Sequence, residues 1–210
     1  MKIEHISAAG RDHQNEDAVL FKSVNETSMA IAVADGMGGK SFGSLASSLV
    51  CQSIIDYATN AHSDNTQELL FDALEHADRR ISIEIEQCKQ SMGAAVLAAI
   101  ISSGQLHYTW QGNVRLYRHN QGQIICLTHD HTIDIGYGEE RLTRCIKGCG
   151  LREDVPYEVS PIEVGDVLYI CTDGFYRQFQ DELKENLSMT ELNTLLNCPD
   201  DDSTLVCIEV

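Results

Sequence analysis

Positive charge is scarce in this chain, with 15 Lys and Arg against 32 Asp and Glu, a formal net charge of −17 over 210 residues. The cations are also scattered singly apart from Arg79 and Arg80. Nucleic acids and anionic membranes are held by clustered cations that release counterions, so neither is expected as a partner. Proline contributes only 3 residues and no low-complexity run occurs, which excludes a collagen-like or disordered chain. The longest strongly apolar stretch, Met92 to Ile101, is about half of what a bilayer-spanning helix needs. Met1 to Ala9 carries Glu4 and His5 and lacks the basic start and apolar stretch of a signal peptide, so a cytoplasmic location is expected. No Cys-x-x-Cys pair exists among the 8 cysteines. Most are therefore expected to be reduced and buried as small hydrophobes. The closest pair, Cys145 and Cys149, sits in a Gly-rich turn without partner ligands at zinc-site spacing.

What the chain does have is apolar content, 43% of residues, on a length that buries roughly 70% of its unfolded surface as one core. With no repeat and no linker, residues 1–210 are read as a single domain. Alternating or β-rich runs predict strands at 2–8, 18–24 and 28–34. Two helices follow, the first capped by Ser41 or Ser44 with Leu45, Leu49, Val50, Ile54 and Tyr57 on one face. The second is capped by Asp64 or Asn65, with Leu70, Ala73, Leu74, Ala77 and Ile81 at helical spacing. Strands return at 94–102, 105–111, 114–118 and 123–128, and their short connections predict antiparallel pairing. Residues 129–150 read as an irregular surface loop. A strand at 166–172, helices near 176–184 and 189–196 and a strand at 203–210 finish the pattern. Blocks of strands and helices predict an α+β fold of antiparallel sheet covered by helices.

Chemistry is suggested by the acids at strand ends. Asp35 closes the buried run AIAVA and precedes Gly36; Asp173 closes LYICT and precedes Gly174. Asp200, Asp201 and Asp202 precede the last strand, and Glu16 and Asp17 precede AVLF. Any one Asp-Gly pair is an ordinary turn. Several carboxylates brought within about 4 Å of one another, however, repel by about 1 to 4 kcal/mol per pair and need protons or a cation. Oxygen-only ligands point to Mg²⁺ or Mn²⁺ rather than zinc.

The segments QNEDAVLF (14–21), VADGMGG (33–39), WQGNVRLYR (110–118), LTHDHT (127–132), ICTDGF (170–175) and DDSTLV (201–206) together resemble the metal-dependent Ser/Thr protein phosphatases of the 2C class, in its bacterial branch. That resemblance implies two packed antiparallel β-sheets flanked by helices, an αββα sandwich. It also implies hydrolysis of phosphoserine and phosphothreonine in proteins by direct attack of a water bridging two Mn or Mg ions. By the same resemblance Asp35 bridges the ions, the Gly36 carbonyl binds one of them, and Asp173 and Asp201 hold the other. Asp17, with Glu16, orients water on the metals, and Arg11 clamps the phosphate, though one residue further from Asn15 than the family's usual spacing. Met37 stands where animal relatives have a His, so the proton for the leaving oxygen is assigned to a water on the metal, with His13 as the remote second choice. Asn113 replaces the acid that helps a third ion in the family, which makes a third site weak or absent. The flap near 129–150 is short. The implied partners are a phosphorylated protein, such as a Ser/Thr kinase or its target; the expected state is a monomer acting in signalling.

Two rival readings exist. ADGMGGKS ends like a phosphate-binding loop at Gly39, Lys40 and Ser41, but Ala34 replaces its first Gly and Asp35 would face the phosphates. A catalytically lapsed, phosphoprotein-binding regulator is the alternative function; the retained acids oppose it. Tyr108 and Trp110 read as packing, His129 and His131 as exposed loop residues, and Asp181, Glu182, Glu185 and Glu191 as a solvated helix face.

Overall fold

A computed structural model describes every residue except 12, 13, 39–41, 62, 153, 186, 197 and 198. The chain opens with β1 (Lys2–Ala8), β2 (Asp17–Asn25) and β3 (Ser28–Met37), then α1 (Phe42–Asn60) and α2 (Thr66–Cys88). β4 (Gly93–Ser102), β5 (Gln105–Gln111), β6 (Arg115–Asn120) and β7 (Gln123–Cys126) follow, then β8 (Thr132–Gly136), β9 (Glu139–Leu142), β10 (Tyr157–Pro161) and β11 (Val167–Cys171). α3 (Asp173–Phe179), a 3-10 turn (Glu182–Glu185), α4 (Met189–Leu195) and β12 (Ser203–Glu209) come last.

The strands form two antiparallel five-stranded sheets, ordered β10-β5-β4-β3-β2 and β1-β12-β11-β6-β7, with β8-β9 a separate hairpin. Side-chain alternation along each strand decides what each sheet faces. Ile31 and Val33 of β3 turn toward the second sheet and meet Leu97, Trp110, Leu116, Ile170 and Val206. Ala30, Ala32 and Ala34 turn the other way, and their small size lets Val50 and Ile54 of α1 and Leu70 and Leu74 of α2 pack close. On the far side Tyr169, Cys171, Leu205 and Cys207 pack under Phe175, Tyr176 and Leu192 of α3 and α4. Each fully buried Leu, Ile or Phe in these layers contributes about 1.5–3 kcal/mol. The layering is α/β/β/α, the sandwich expected.

Several local expectations are corrected. Of the two caps expected for α2, Asn65 is the one observed, its side chain accepting from the N–H groups of Gln67 and Glu68. Ser44 lies inside α1 and Ser41 lies outside the described residues. β5 and β6 do not pair despite their short connection, because residues 112–114 carry the chain from one sheet to the other. Gly112 makes that crossing at φ +116°, where a Cβ would stand 2.4 Å from Ala95 Cβ. Residues 129–150 contain the β8-β9 hairpin and a bridge between Ile146 and Ala94, so they are not irregular throughout. The strand β10 was not anticipated, and α3 starts at Asp173 itself rather than near 176. Among the described cysteines none is paired, but only Cys51, Cys171 and Cys207 are buried. Cys198 lies outside the described residues. His131 is buried, stacked on Trp110 at 5.8 Å, while His129 is exposed.

Candidate metal centre

The two sheets bring their acidic ends to one edge of the sandwich. Asp17 and Asp35 are direct partners in the β2-β3 register, so their side chains project from the same face about 5 Å apart. Like charges opposite one another destabilise a sheet, and here the pair sits where β3 meets α1. Gly36 makes that junction possible: a Cβ on it would lie 2.0 Å from the Gly43 carbonyl oxygen, and its N–H donates to Glu16 O at 3.1 Å.

From the second sheet, β11 runs into Thr172 and then α3, whose first residue is Asp173. Gly174 lets that helix start press against the turn before β12, since a Cβ there would meet the Asp202 carbonyl oxygen at 2.1 Å. The close approach places Asp173 beside Asp201. Thr172 joins the halves, donating its hydroxyl to Asp17 Oδ2 at 2.8 Å while its oxygen accepts from Thr204 N at 3.0 Å. Asp202 has a different task from Asp201. Buried, it accepts from Gly10 N at 2.8 Å and Glu16 N at 2.7 Å, fastening the segment that carries Asp17 to the β12 turn.

Asp35, Gly36, Asn113, Asp173 and Asp201 line one cavity of about 560 Å³, together with Met37, Glu140, Arg141, Cys145, Lys147 and Arg177. Burial, then the charges of Asp17, Asp173 and Asp201, push Asp35 well above the usual carboxylate range. Asp17 is pushed up to about 7, chiefly by burial and against the hydroxyls of Thr204 and Thr172, with Asp202 and Asp173 adding repulsion. Burial also raises Asp173, opposed by Arg177 and reinforced by Asp201. The protein side of the site thus favours protonated acids at Asp17, Asp35 and Asp173.

Among the described residues no three His, Cys, Asp or Glu side chains already surround a single point as metal ligands. Asp17 instead bonds Thr172, Asp173 bonds Asn113 and Arg177, and Asp202 bonds backbone. Among the described residues two buried oxygens, Asp17 Oδ1 and Asn113 Oδ1, have no hydrogen-bond partner. An oxygen-only donor set, partly buried and mutually repelling carboxyls and these orphaned oxygens fit a hard divalent cation of the Mg²⁺ or Mn²⁺ kind.

Not every expected residue joins this cavity. Arg11 is exposed and pairs with Asp200 at 3.1 Å, away from the cavity wall. Glu16 lies against Gly43, where a Cβ would meet its Oε2 at 2.3 Å. His13, Gly39 and Lys40 lie outside the described residues. Arg177 was missed: it lies one helical turn after Asp173, and bonds both Asp173 Oδ2 and Glu140 Oε2 at 3.2 Å. That i,i+4 spacing from an acid at a helix start was the available signal. Asn113 Nδ2 donates to Asp173 Oδ2 at 3.1 Å. Arg115 and Asp130, from two separate motif segments, form a bidentate pair at 3.0 and 2.8 Å, and Arg115 stacks on Tyr176 at 3.7 Å, bracing α3.

The sequence profile described as Protein phosphatase 2C matches residues 6–206. The chain belongs to that family. The serine/threonine phosphatase Stp of Listeria welshimeri is 24% identical over 206 residues, covering 86% of this chain and 81% of that protein. The serine/threonine protein phosphatase PstP of Mycobacterium tuberculosis is 26% identical over 197 residues, covering 84% of this chain and 38% of PstP. Among solved structures, the serine/threonine phosphatase of S. agalactiae superposes with a TM-score of 0.84 at 21% identity, covering 100% of this chain and 99% of that one. The PstP catalytic domain in complex with 2 manganese ions gives 0.80 at 22% identity, covering 98% and 96%. These likenesses give this phosphatase-family chain its fold.

Proposed function

We propose that the protein is a metal-dependent phosphatase that hydrolyses phosphoserine and phosphothreonine in proteins, with two Mn or Mg ions at the acidic cavity. The observation that carries the reading is the meeting of Asp35 and Gly36 from one sheet with Asp173 and Asp201 from the other on one cavity wall. Asp35, the Gly36 carbonyl, Asp173 and Asp201 would hold the ions, with Asp17 behind Asp35. When bound, the ions would supply activated water for in-line attack on phosphorus and offset charge on the phosphoryl oxygens.

The chain's own residues do the positioning. Thr172 fixes the Asp17 carboxyl, and Asn113 orients Asp173 by donating to it. Arg177 and Arg141 stand on the cavity wall where the phosphate's negative charge must sit, so they can attract and orient it. Arg11 could contribute only by leaving Asp200. We assign Arg177 the nearer role and Arg11 the more distant one.

The protein is read as one phosphatase domain over 1–210, a monomer in the cytoplasm, acting in signalling on phosphoproteins such as a Ser/Thr kinase or its targets. No helix among the described residues is long and apolar enough to cross a membrane. Release of phosphate from a phosphothreonine peptide, with and without Mn²⁺, tests the reading. Asp35→Ala, Asp173→Ala and Asp201→Ala are each expected to lose about 100-fold or more in kcat/KM; rates equal to wild type in all three would refute it.

A further inference from the structure

The chain's acidity hides one local reversal. Residues 141–152, RLTRCIKGCGLR, hold Arg141, Arg144, Lys147 and Arg152 with no acid among them, in a chain with only 15 Lys and Arg. Read along the sequence these cations look isolated; the fold turns three of them onto one surface. A second cavity of about 340 Å³ is lined by Arg144, Lys147 and Arg152 with Gln111, Thr143 and Cys149.

This cavity adjoins the metal centre. Cys145 and Lys147 line both. The reason is the pairing of Ile146 with the start of β4: Ala94 N donates to Ile146 O at 2.8 Å and Ile146 N to Ala94 O at 2.9 Å. With Ile146 turned into the core, alternation sends Cys145 and Lys147 to the opposite face. Ala94 is also the register partner of Gly36, so Gly36, Ala94 and Ile146 stand in one row across three chain segments. At about 4.8 Å per step the cationic loop lies about 10 Å from the Gly36 backbone.

The loop is held in place. Asp78 of α2, buried, accepts from Lys147 N at 3.1 Å, Gly148 N at 2.7 Å and Gly150 N at 2.7 Å. Gly148, at φ +73°, presses against α2 so closely that a Cβ would lie 2.6 Å from Ser82 N. Arg144 is committed to Asp154, bonding its carbonyl oxygen at 2.7 Å and its carboxylate. Lys147 and Arg152 are exposed, with no ion pair among the described residues.

We propose that this second cavity receives an anionic group of the substrate polypeptide, a carboxylate or a second phosphate, carried about three residues from the phosphorylated one. Resting on the phosphatase reading above, the proposal narrows the substrate class to acidic or multiply phosphorylated segments. The spacing follows from the separation of about 10 Å and a rise of about 3.3 Å per extended residue. The chemistry follows from two cations without an ion pair among the described residues, beside a backbone fixed by Asp78, a pre-ordered anion receptor on an otherwise acidic molecule.

The test is kcat/KM on three sets of phosphothreonine peptides that carry alanine, glutamate or phosphoserine three residues to either side, with p-nitrophenyl phosphate as a substrate that reaches only the metal centre. Wild type is expected to favour a glutamate or phosphoserine peptide over the alanine peptide about five- to tenfold. Lys147→Ala and Arg152→Ala should each cut that ratio to about twofold, Arg152→Glu should invert it, and Arg80→Ala, a cation on the exposed side of α2, should preserve it. A gain with glutamate assigns the pocket to acidic sequence, and a gain with phosphoserine alone assigns it to a second phosphate. Hydrolysis of p-nitrophenyl phosphate with equal rates on all peptides overturns this inference alone; no hydrolysis of any substrate overturns the phosphatase reading instead.

Discussion

Thr172 donates its hydroxyl to Asp17 across the gap between the two sheets at 2.8 Å, and the same oxygen receives the N–H of Thr204. One buried hydroxyl therefore satisfies an acid from β2 and the backbone of β12. Replacement by valine, equal in shape, leaves both partners without it. Thr172→Val is expected to destabilise the protein by about 1–3 kcal/mol, read as a lower urea midpoint at unchanged slope, and Thr172→Ser by less. An unchanged midpoint for Thr172→Val would show the bond to be dispensable.

Asp78 supplies both carboxylate oxygens to the 147–150 backbone. Asp78→Ala should speed hydrogen exchange at the Lys147, Gly148 and Gly150 amides while leaving the central strands β3 and β4 protected. Exchange rates at those three amides equal to wild type would mean that the loop is held by its bridge to Ala94 alone.

His131 gives a pH dependence. Burial, then the charges of Arg144 and His129, hold its imidazole down to about 4, below an ordinary value of 6.5. Its Nδ1 accepts from Gly112 N at 3.2 Å, which only the neutral ring can do. Because the unfolded chain takes up the proton more readily, this group's contribution is complete above about pH 6.5 and is lost as pH falls toward about 4. An NMR titration should place His131 well below the ordinary imidazole value of 6.5, and His131→Gln should flatten the stability profile between those pH values. A midpoint for His131 near 6.5 would contradict the buried placement.

The mutual repulsion of Asp17, Asp35 and Asp173 makes a further prediction about a protein kept free of metal. Asp35→Asn removes one of the directly opposed acids, so without divalent cation the variant should melt at or above the wild-type temperature at pH 7. With Mn²⁺ the order should reverse, since only wild type would gain RT ln(1 + [L]/Kd) from the ion. A variant that melts lower than wild type in both conditions would point to a structural acid rather than a ligand.

Much of this is legible in the sequence. The strand at 28–34 and Asp35 at its end are found where expected because a short, apolar β-rich run followed by Asp-Gly is a local signal that one strand carries by itself. Asp35, Asp173 and Asp201 were chosen by motif, and their arrival at one cavity wall follows from close approaches that Gly36 and Gly174 permit. Other features depended on contacts between distant segments. Nothing within α2 shows that a loop 69 to 72 residues later returns to Asp78. The β5-β6 connection was misread because short links ordinarily join paired strands, whereas Gly112 uses a positive φ to switch sheets. Arg11 matched a motif position, but the fold leaves it beside Asp200 and brings Arg177 and Arg141 to the cavity instead.

The acidic edge of the sandwich as a binuclear ion site is tested most directly by calorimetric titration of Mn²⁺ into the metal-free protein. Two ions per chain are expected for wild type, with at least one lost in Asp35→Ala and in Asp173→Ala. Absence of heat and of any thermal stabilisation by Mn²⁺ or Mg²⁺ in the wild-type protein would contradict the account at its root.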